Sequence, residues 1–211
     1  MAPCGMSVIS RANSLALQGY KHCCHVMLHS PVEEKLFGFY PLKQAVLMQL
    51  RFDGRMGFPG GFVDDFEDLE TAINREVVEE LGETTNPVNI TKENYVISHL
   101  YEEYVSELDI TKKLCLHFFA KNVPLEQFLE LETRKQGAPY LGYEVLGLVR
   151  CPVYILRDKR GGLPSFLRHD FVGNSRQQLL IGLEHEGILT PEEIKEVVQL
   201  SQSIPASAAK L

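Results

Sequence analysis

The sequence predicts an α/β domain in which helices cover both faces of a sheet, and three observations lead there. Strand-like runs alternate with amphipathic stretches of helical period along the chain. One run, "AVLMQLRF" at 45–52, is apolar almost throughout, as in a strand covered on both sides. No internal repeat or long linker divides the 211 residues, a length suited to one domain with its own core.

Taken in order, residues 1–17 read as a polar N-terminal extension and "HCCHVMLH" (22–29) as the first strand. "SPVEEK" follows as a loop, ahead of the strand at 45–52. "GFPGGFVDD" (57–65) sets glycine and proline around a short apolar piece, the composition of a shaped loop. Residues 68–82 read as a helix closed by Gly82. "YVISHLY" (95–101) and "LCLHFFAK" (114–121) alternate as strands, with the charged "EEYVSELDITKK" connecting them. "PLEQFLELETRK" (124–135) is an amphipathic helix, "EVLGLVRCPVYIL" (144–156) a strand as far as Pro152, and "RDKRGGLPSF" a basic loop. Two helices finish the domain. Asn174 caps the first, and Thr190 to Glu193 combine a capping box with proline at the first helical position. On this reading residues 18–200 form the domain and 201–211 a disordered tail.

Composition narrows the function classes. The chain is 45% hydrophobic and 23% charged, with a formal net charge of −7. That charge excludes a globally basic surface, and it repels polyphosphate unless metal ions or a local basic patch intervene. Five cysteines (Cys4, Cys23, Cys24, Cys115, Cys151), odd in number and irregularly spaced, argue against a disulfide framework. Neither a charged-then-apolar leader nor an apolar run of membrane-spanning length is present, so an intracellular, reducing compartment is expected, with no membrane association.

The chemistry concentrates in "REVVEELGE" (75–83), where four glutamates interleave with apolar residues. At roughly 100° per residue, Leu69, Ile73, Val77 and Leu81 form one apolar stripe. Glu76 lies at its edge, Glu80 falls within it, Glu79 borders the same side, and Arg75 and Val78 point elsewhere. A solvated acidic face would lie opposite the stripe. Carboxylates crowded beside it instead suit a hard divalent cation, and magnesium is typically held by a few carboxylates together with substrate phosphates. "HCCH" invites a zinc reading, which is rejected because adjacent strand residues face opposite ways and His22 and Cys24 cannot share a site with Cys23 and His25.

"GFVDDFEDLETAINREVVEELGE" (61–83) matches G-x5-E-x7-R-E-U-x-E-E-x-G-U at every fixed position but the last, where Glu83 replaces an apolar residue. On this motif the chain resembles the Nudix hydrolases. "HCCHVMLH", "LMQLRFDGRMGFPGGFVD", "GYEVLGLVRCPVY", "GGLPSFL" and "FVGNSRQQLL" extend the similarity to the branch of U8 small nucleolar RNA-decapping hydrolases and inosine diphosphatases, over residues 18 to 185. The resemblance implies an α/β/α sandwich with a mixed sheet, and in-line attack of water on phosphorus assisted by Mg²⁺ or Mn²⁺, with Co²⁺ as a further candidate.

By the same resemblance, Glu76, Glu79 and Glu80 correspond to the catalytic, metal-binding carboxylates. Gly60 supplies a backbone carbonyl to the metal and His99 is a further ligand. Arg75 and Glu67 brace the loop against the helix, and the general base stays open between Glu76, Glu79 and Glu144. His25, Arg51, Phe58 and Gln178 match substrate-binding positions: Phe58 to stack on a purine, Arg51 to pair with phosphate, His25 and Gln178 to read a base edge. Expected substrates are capped RNA, U8 small nucleolar RNA with its methylated guanosine cap in particular, and inosine and guanosine diphosphates. Such a substrate implies a nuclear or nucleolar location, with the cytoplasm as a second. Arg157, Lys159 and Arg160 are the candidate RNA-backbone contacts, which a homodimer would gather into one channel. The rivals are a nucleotide-housecleaning hydrolase with no RNA role and a non-catalytic scaffold that binds RNA or protein.

Overall fold

The computed structural model describes residues 7–105, 110–133 and 138–205. Its elements run β1 (Ser7–Ile9), α1 (Arg11–Leu15), β2 (Lys21–Leu36), β3 (Tyr40–Arg51), β4 (Met56–Gly57), β5 (Gly60–Phe62) and α2 (Leu69–Leu81). There follow β6 (Tyr95–Val105), β7 (Ile110–Asn122), α3 (Leu125–Thr133), β8 (Val145–Arg150), α4 (Leu163–Phe166), α5 (Ser175–His185) and α6 (Pro191–Ser203). The strands form a mixed eight-stranded sheet in the order β1-β6-β7-β2-β3-β4, with β5 paired to β2 and β8 to β3. β2 runs parallel to β7 and antiparallel to β3.

Alternation along β2 separates two apolar layers. Cys24, Val26 and Leu28 turn toward α2 and α3, where Leu69, Ile73, Val77, Phe128 and Leu131 are buried against them. Met27, with Phe118 and Ala120 of β7, turns to the other side and packs with Leu179, Leu183 and Val197 of α5 and α6. Each fully buried side chain of this size contributes about 1.5–3 kcal/mol. The predicted α/β class and mixed sheet are therefore observed.

Several boundaries differ from the sequence reading. Part of the presumed extension belongs to the sheet, since β1 pairs with β6 from Ser7↔Leu100 to Ile9↔Ser98. "SPVEEK" is not a loop but the far half of β2, which pairs with β3 through a bulge between Val32 and Lys35. The polar residues there suit an exposed strand end and hide the ladder from a hydrophobicity pattern. The charged connection is likewise mostly strand, because β6 runs on to Val105 and β7 starts at Ile110. Within this connection, 106–109 lie outside the described residues. At the other end α6 continues to Ser203 and Ile204 is buried, so the supposed tail begins inside the fold; residues 206–211 lie outside the described set. The α6 capping box forms as predicted, with Thr190 Oγ1 accepting from the Glu193 amide and the Glu193 carboxylate accepting from the Thr190 amide.

Candidate active site

The centre is built on α2. Asp68 caps it by accepting from the Thr71 amide at 2.7 Å, and Gly82 ends it at φ 83°. The predicted stripe is buried, and Glu80 is buried with it at 3% exposure. One Glu80 oxygen accepts from the Gly60 amide at 2.8 Å, the other from the Gln49 side-chain amide at 3.0 Å. Burial pushes its carboxyl up to about 7, even though these two donors and the Arg51 charge act the other way. Glu76 is raised too, chiefly by burial, with Arg75 opposing and the charges of Glu79 and Glu144 adding.

Arg75 does not point away from this group as its wheel position suggests. Its long side chain turns along the helix so that one terminal nitrogen donates to Glu76 at 3.0 Å and to Glu79 at 3.1 Å. The other side of the guanidinium takes Glu67 in a bidentate pair at 3.0 and 2.9 Å and reaches the Phe62 carbonyl. The expected loop-to-helix brace is thus present, and the same residue offsets part of the carboxylate crowding.

Gly60 and Gly61 place the loop against these carboxylates. At Gly60, φ is 138° and a Cβ would fall 2.0 Å from the Cys24 carbonyl oxygen. Glycine is thus demanded by the approach to β2. At Gly61 a Cβ would meet the Glu76 carboxylate at 2.5 Å. Glu80 on the Gly60 amide and Glu76 against Gly61 make an oxygen-only set around a bare backbone strip. Such a set fits a hard divalent cation.

Beside this strip lies a cavity of about 280 Å³ bordered by His25, Arg51, Arg55, Lys112 and Asn174. His25 is held neutral down to about 4 by burial and by the Arg51 charge. Several buried polar atoms on this side lack a hydrogen-bond partner among the described residues: His25 Nδ1, His99 Nε2 and both amide atoms of Gln178. Each orphan of this kind costs about 1–3 kcal/mol; of these residues His25 borders the cavity, where a ligand can supply its partner, while His99 and Gln178 are buried behind it. His99 shares the sheet face of His25, and its Nδ1 lies 3.4 Å from the Asn174 amide.

A family profile described as "Nudt16-like: U8 snoRNA-decapping enzyme-like" matches residues 22–189. The chain belongs to this family. Within the Nudt16-like group it is 43% identical to the "U8 snoRNA-decapping enzyme" of Xenopus laevis, over 93% of this chain and 90% of that protein. It is 38% identical to the human "Tudor-interacting repair regulator protein", over 90% and 86% respectively. Among solved structures, a MutT/nudix family protein from Enterococcus faecalis aligns at TM-score 0.50 and 14% identity, covering 91% of this chain and 74% of that one. That likeness extends to the fold, which is the Nudix α/β architecture.

Of the Nudt16-like positions expected from sequence, Glu76, Glu80 and Gly60 come together, with Glu79 partly exposed beside Arg75. Glu144 is exposed in the turn just before β8, close enough for its charge to reach Glu76. His25 and Arg51 meet at the cavity, and Gln178 is completely buried. Phe58 is the exception: at 1% exposure it packs on Phe118, centroids 5.3 Å apart, as core and not as an open platform for a base. Sequence reasoning missed Gln49 and Asn174. Gln49 had a visible signal, a lone polar residue inside "AVLMQLRF". Asn174 looked like a helix cap, yet it makes no side-chain cap bond and turns to His99.

Proposed function

We propose that this chain is a divalent-cation-dependent Nudix hydrolase that cleaves the phosphoric anhydride of the 5′ cap of RNA, and that of inosine and guanosine diphosphates. The observation that carries the proposal is the buried Glu80 carboxylate on the Gly60 amide. Its strip borders, on the other side, a cavity lined with cationic side chains and orphaned polar groups. The decapping relative and the shared family favour RNA as the substrate. Mg²⁺ or Mn²⁺, when bound, supplies charge that offsets the phosphate oxygens and acidifies water. Glu76 and Glu80, with Glu79 at the rim, are the residues that would hold it, joined in the proposal by the Gly60 carbonyl and His99.

The chain's own groups do the rest. Arg51, Arg55 and Lys112 draw the phosphates into the cavity, against the negative charge of the protein as a whole. His25 and Gln178 gain the partners they lack by bonding to the nucleotide, and His99 gains its own at the cation. Arg75 fixes the orientation of Glu76 and Glu79, leaving Glu144 or one of these two to take the proton of the attacking water. A nucleolar location and a homodimer belong to the same reading.

The protein-binding name of the human relative favours a second reading, a non-catalytic scaffold. One assay separates the readings: capped U8 RNA and inosine diphosphate at matched concentration, in Mg²⁺ and in Mn²⁺. Cleavage of both substrates is the expected result. Cleavage of the diphosphate alone would reduce the chain to nucleotide housecleaning, and cleavage of neither would favour the scaffold.

A further inference from the structure

We propose that His22, Cys115 and His117 form a second metal site, for a thiophilic divalent cation of the zinc class, separate from the box carboxylates. The parallel ladder sets His22 beside Cys115 and Cys24 beside His117, so all four share one face of β2 and β7. The ligand atoms of His22, Cys115 and His117 lie within 4.8 Å of one another. Cys24 is not among them, as its sulfur turns to the Gly61 carbonyl at 3.9 Å. The "HCCH" run could not close a site on itself, but the neighbouring strand supplies what His22 lacks.

Two nitrogens and a sulfur select zinc and its neighbours over Mg²⁺ or Mn²⁺, which take oxygen. The two imidazoles are nearly coplanar in orientation, at 7°, and His22 Nδ1 stands 2.8 Å from His117 Nε2. Tetrahedral ligands at Zn–N of about 2.0–2.1 Å stand roughly 3.3 Å apart; the two nitrogens face each other along the line of the ring centres, which are 5.1 Å apart, so the rings must part and also turn for both lone pairs to meet one ion. His117 is already oriented: its Nδ1 lies 2.7 Å from Ser98 Oγ, which lies 2.7 Å from the Tyr95 hydroxyl. With the His117 proton on Nδ1 and donated to Ser98, Nε2 is left as the lone pair that faces the ion, the arrangement by which outer partners fix a ligating histidine.

Access and charge agree with this geometry. Cys115 and His117 are fully buried, while His22 is half-buried and borders a cavity of about 720 Å³. Asp64, Asp65, Glu67, Asp68 and Glu70 line that cavity and outnumber its two cations, Arg11 and Lys21, of which Arg11 is paired with Glu70; its water can fill a fourth ligand position. On binding, the Cys115 S–H proton leaves to solvent and the sulfur becomes the thiolate ligand. The proton between the two rings moves to the outer nitrogen of His22. The balance is one proton released for each ion taken up.

Cobalt(II) is the probe, because its thiolate charge-transfer absorption reports sulfur ligation and the box carboxylates cannot produce it. Titrating the full chain with Co²⁺ is expected to give this band, and Zn²⁺ to displace it while millimolar Mg²⁺ does not. Cys115→Val should abolish the band, and His22→Ala, at a half-buried position tolerant of change, should weaken Co²⁺ and Zn²⁺ at least tenfold. Ser98→Ala should weaken both about tenfold through the unsupported His117. In the double variant Glu76→Gln, Glu80→Gln the band should persist. Absence of a thiolate band in the unmutated chain at saturating Co²⁺, or its survival in Cys115→Val, would overturn the site and leave His22 and His117 as a structural hydrogen-bonded pair.

Discussion

Glu80 is the residue on which the candidate site turns, and its burial makes its protonation measurable in stability. In the folded chain its carboxyl keeps its proton up to about 7, against an ordinary value of 4.5. Between those values the folded state binds more protons than the unfolded one, so this residue's contribution to stability falls as pH rises through the window, by about 3 kcal/mol at 1.36 kcal/mol per unit. Glu80→Gln does not titrate. The prediction is that urea denaturation from pH 4.5 to 8 shows a flatter profile for the variant, with the variant gaining relative to the parent toward pH 8. A parallel profile would mean that Glu80 is not buried as an acid. His25 works in the opposite direction. It stays neutral down to about 4 when folded, so its contribution is lost as pH falls below 6.5. At this scale the sequence was informative where periodicity and charge disagreed, as with Glu80 in an apolar stripe and Gln49 in an apolar strand. It was silent where a contact depended on another strand, as with Asn174 beside His99 and His22 beside His117.

Elements with local signals were legible. The start of α2 at Asp68, its end at Gly82 and the α6 capping box all follow from side chains within one turn of the helix they close. The long β2 and the addition of β1 to β6 follow from ladders between distant segments, which no local pattern encodes. Two substitutions separate these kinds of determinant. Thr190→Ala removes an N-cap far from the box and should cost about 1 kcal/mol in urea denaturation while leaving hydrolysis unchanged. Gly60→Ala drives a methyl into the Cys24 carbonyl and should cost about 1–3 kcal/mol. It should also reduce turnover, because the Gly60 amide no longer seats Glu80. Equal stability of Gly60→Ala and the parent would show that the loop does not press on β2.

At the scale of the molecule, two opposed charge patterns must coexist. The protein is acidic overall, yet its proposed substrate is a polyanion. The basic loop is already partly engaged, Lys159 with Glu196 at 3.0 Å and Arg157 over the Phe39 ring at 5.3 Å. Neutralising Arg157, Lys159 and Arg160 together should still weaken capped-RNA binding and lower the salt slope by about one to three phosphate contacts. Cleavage of inosine diphosphate should hardly change, and an equal loss of both activities would place the loop in support of the fold. A divalent cation at the box should raise the melting temperature. At one hundred times its dissociation constant Mn²⁺ adds about 2.7 kcal/mol, and an unchanged melt under conditions where activity saturates would count against a preformed site. The most direct measurement compares the parent chain with Glu80→Gln in single-turnover cleavage of capped U8 RNA at saturating Mn²⁺. Loss of a ligand to the catalytic cation removes several kcal/mol of transition-state stabilisation, so the variant should be slower by about a thousandfold or more while remaining folded. Turnover within a few-fold of the parent would contradict the account.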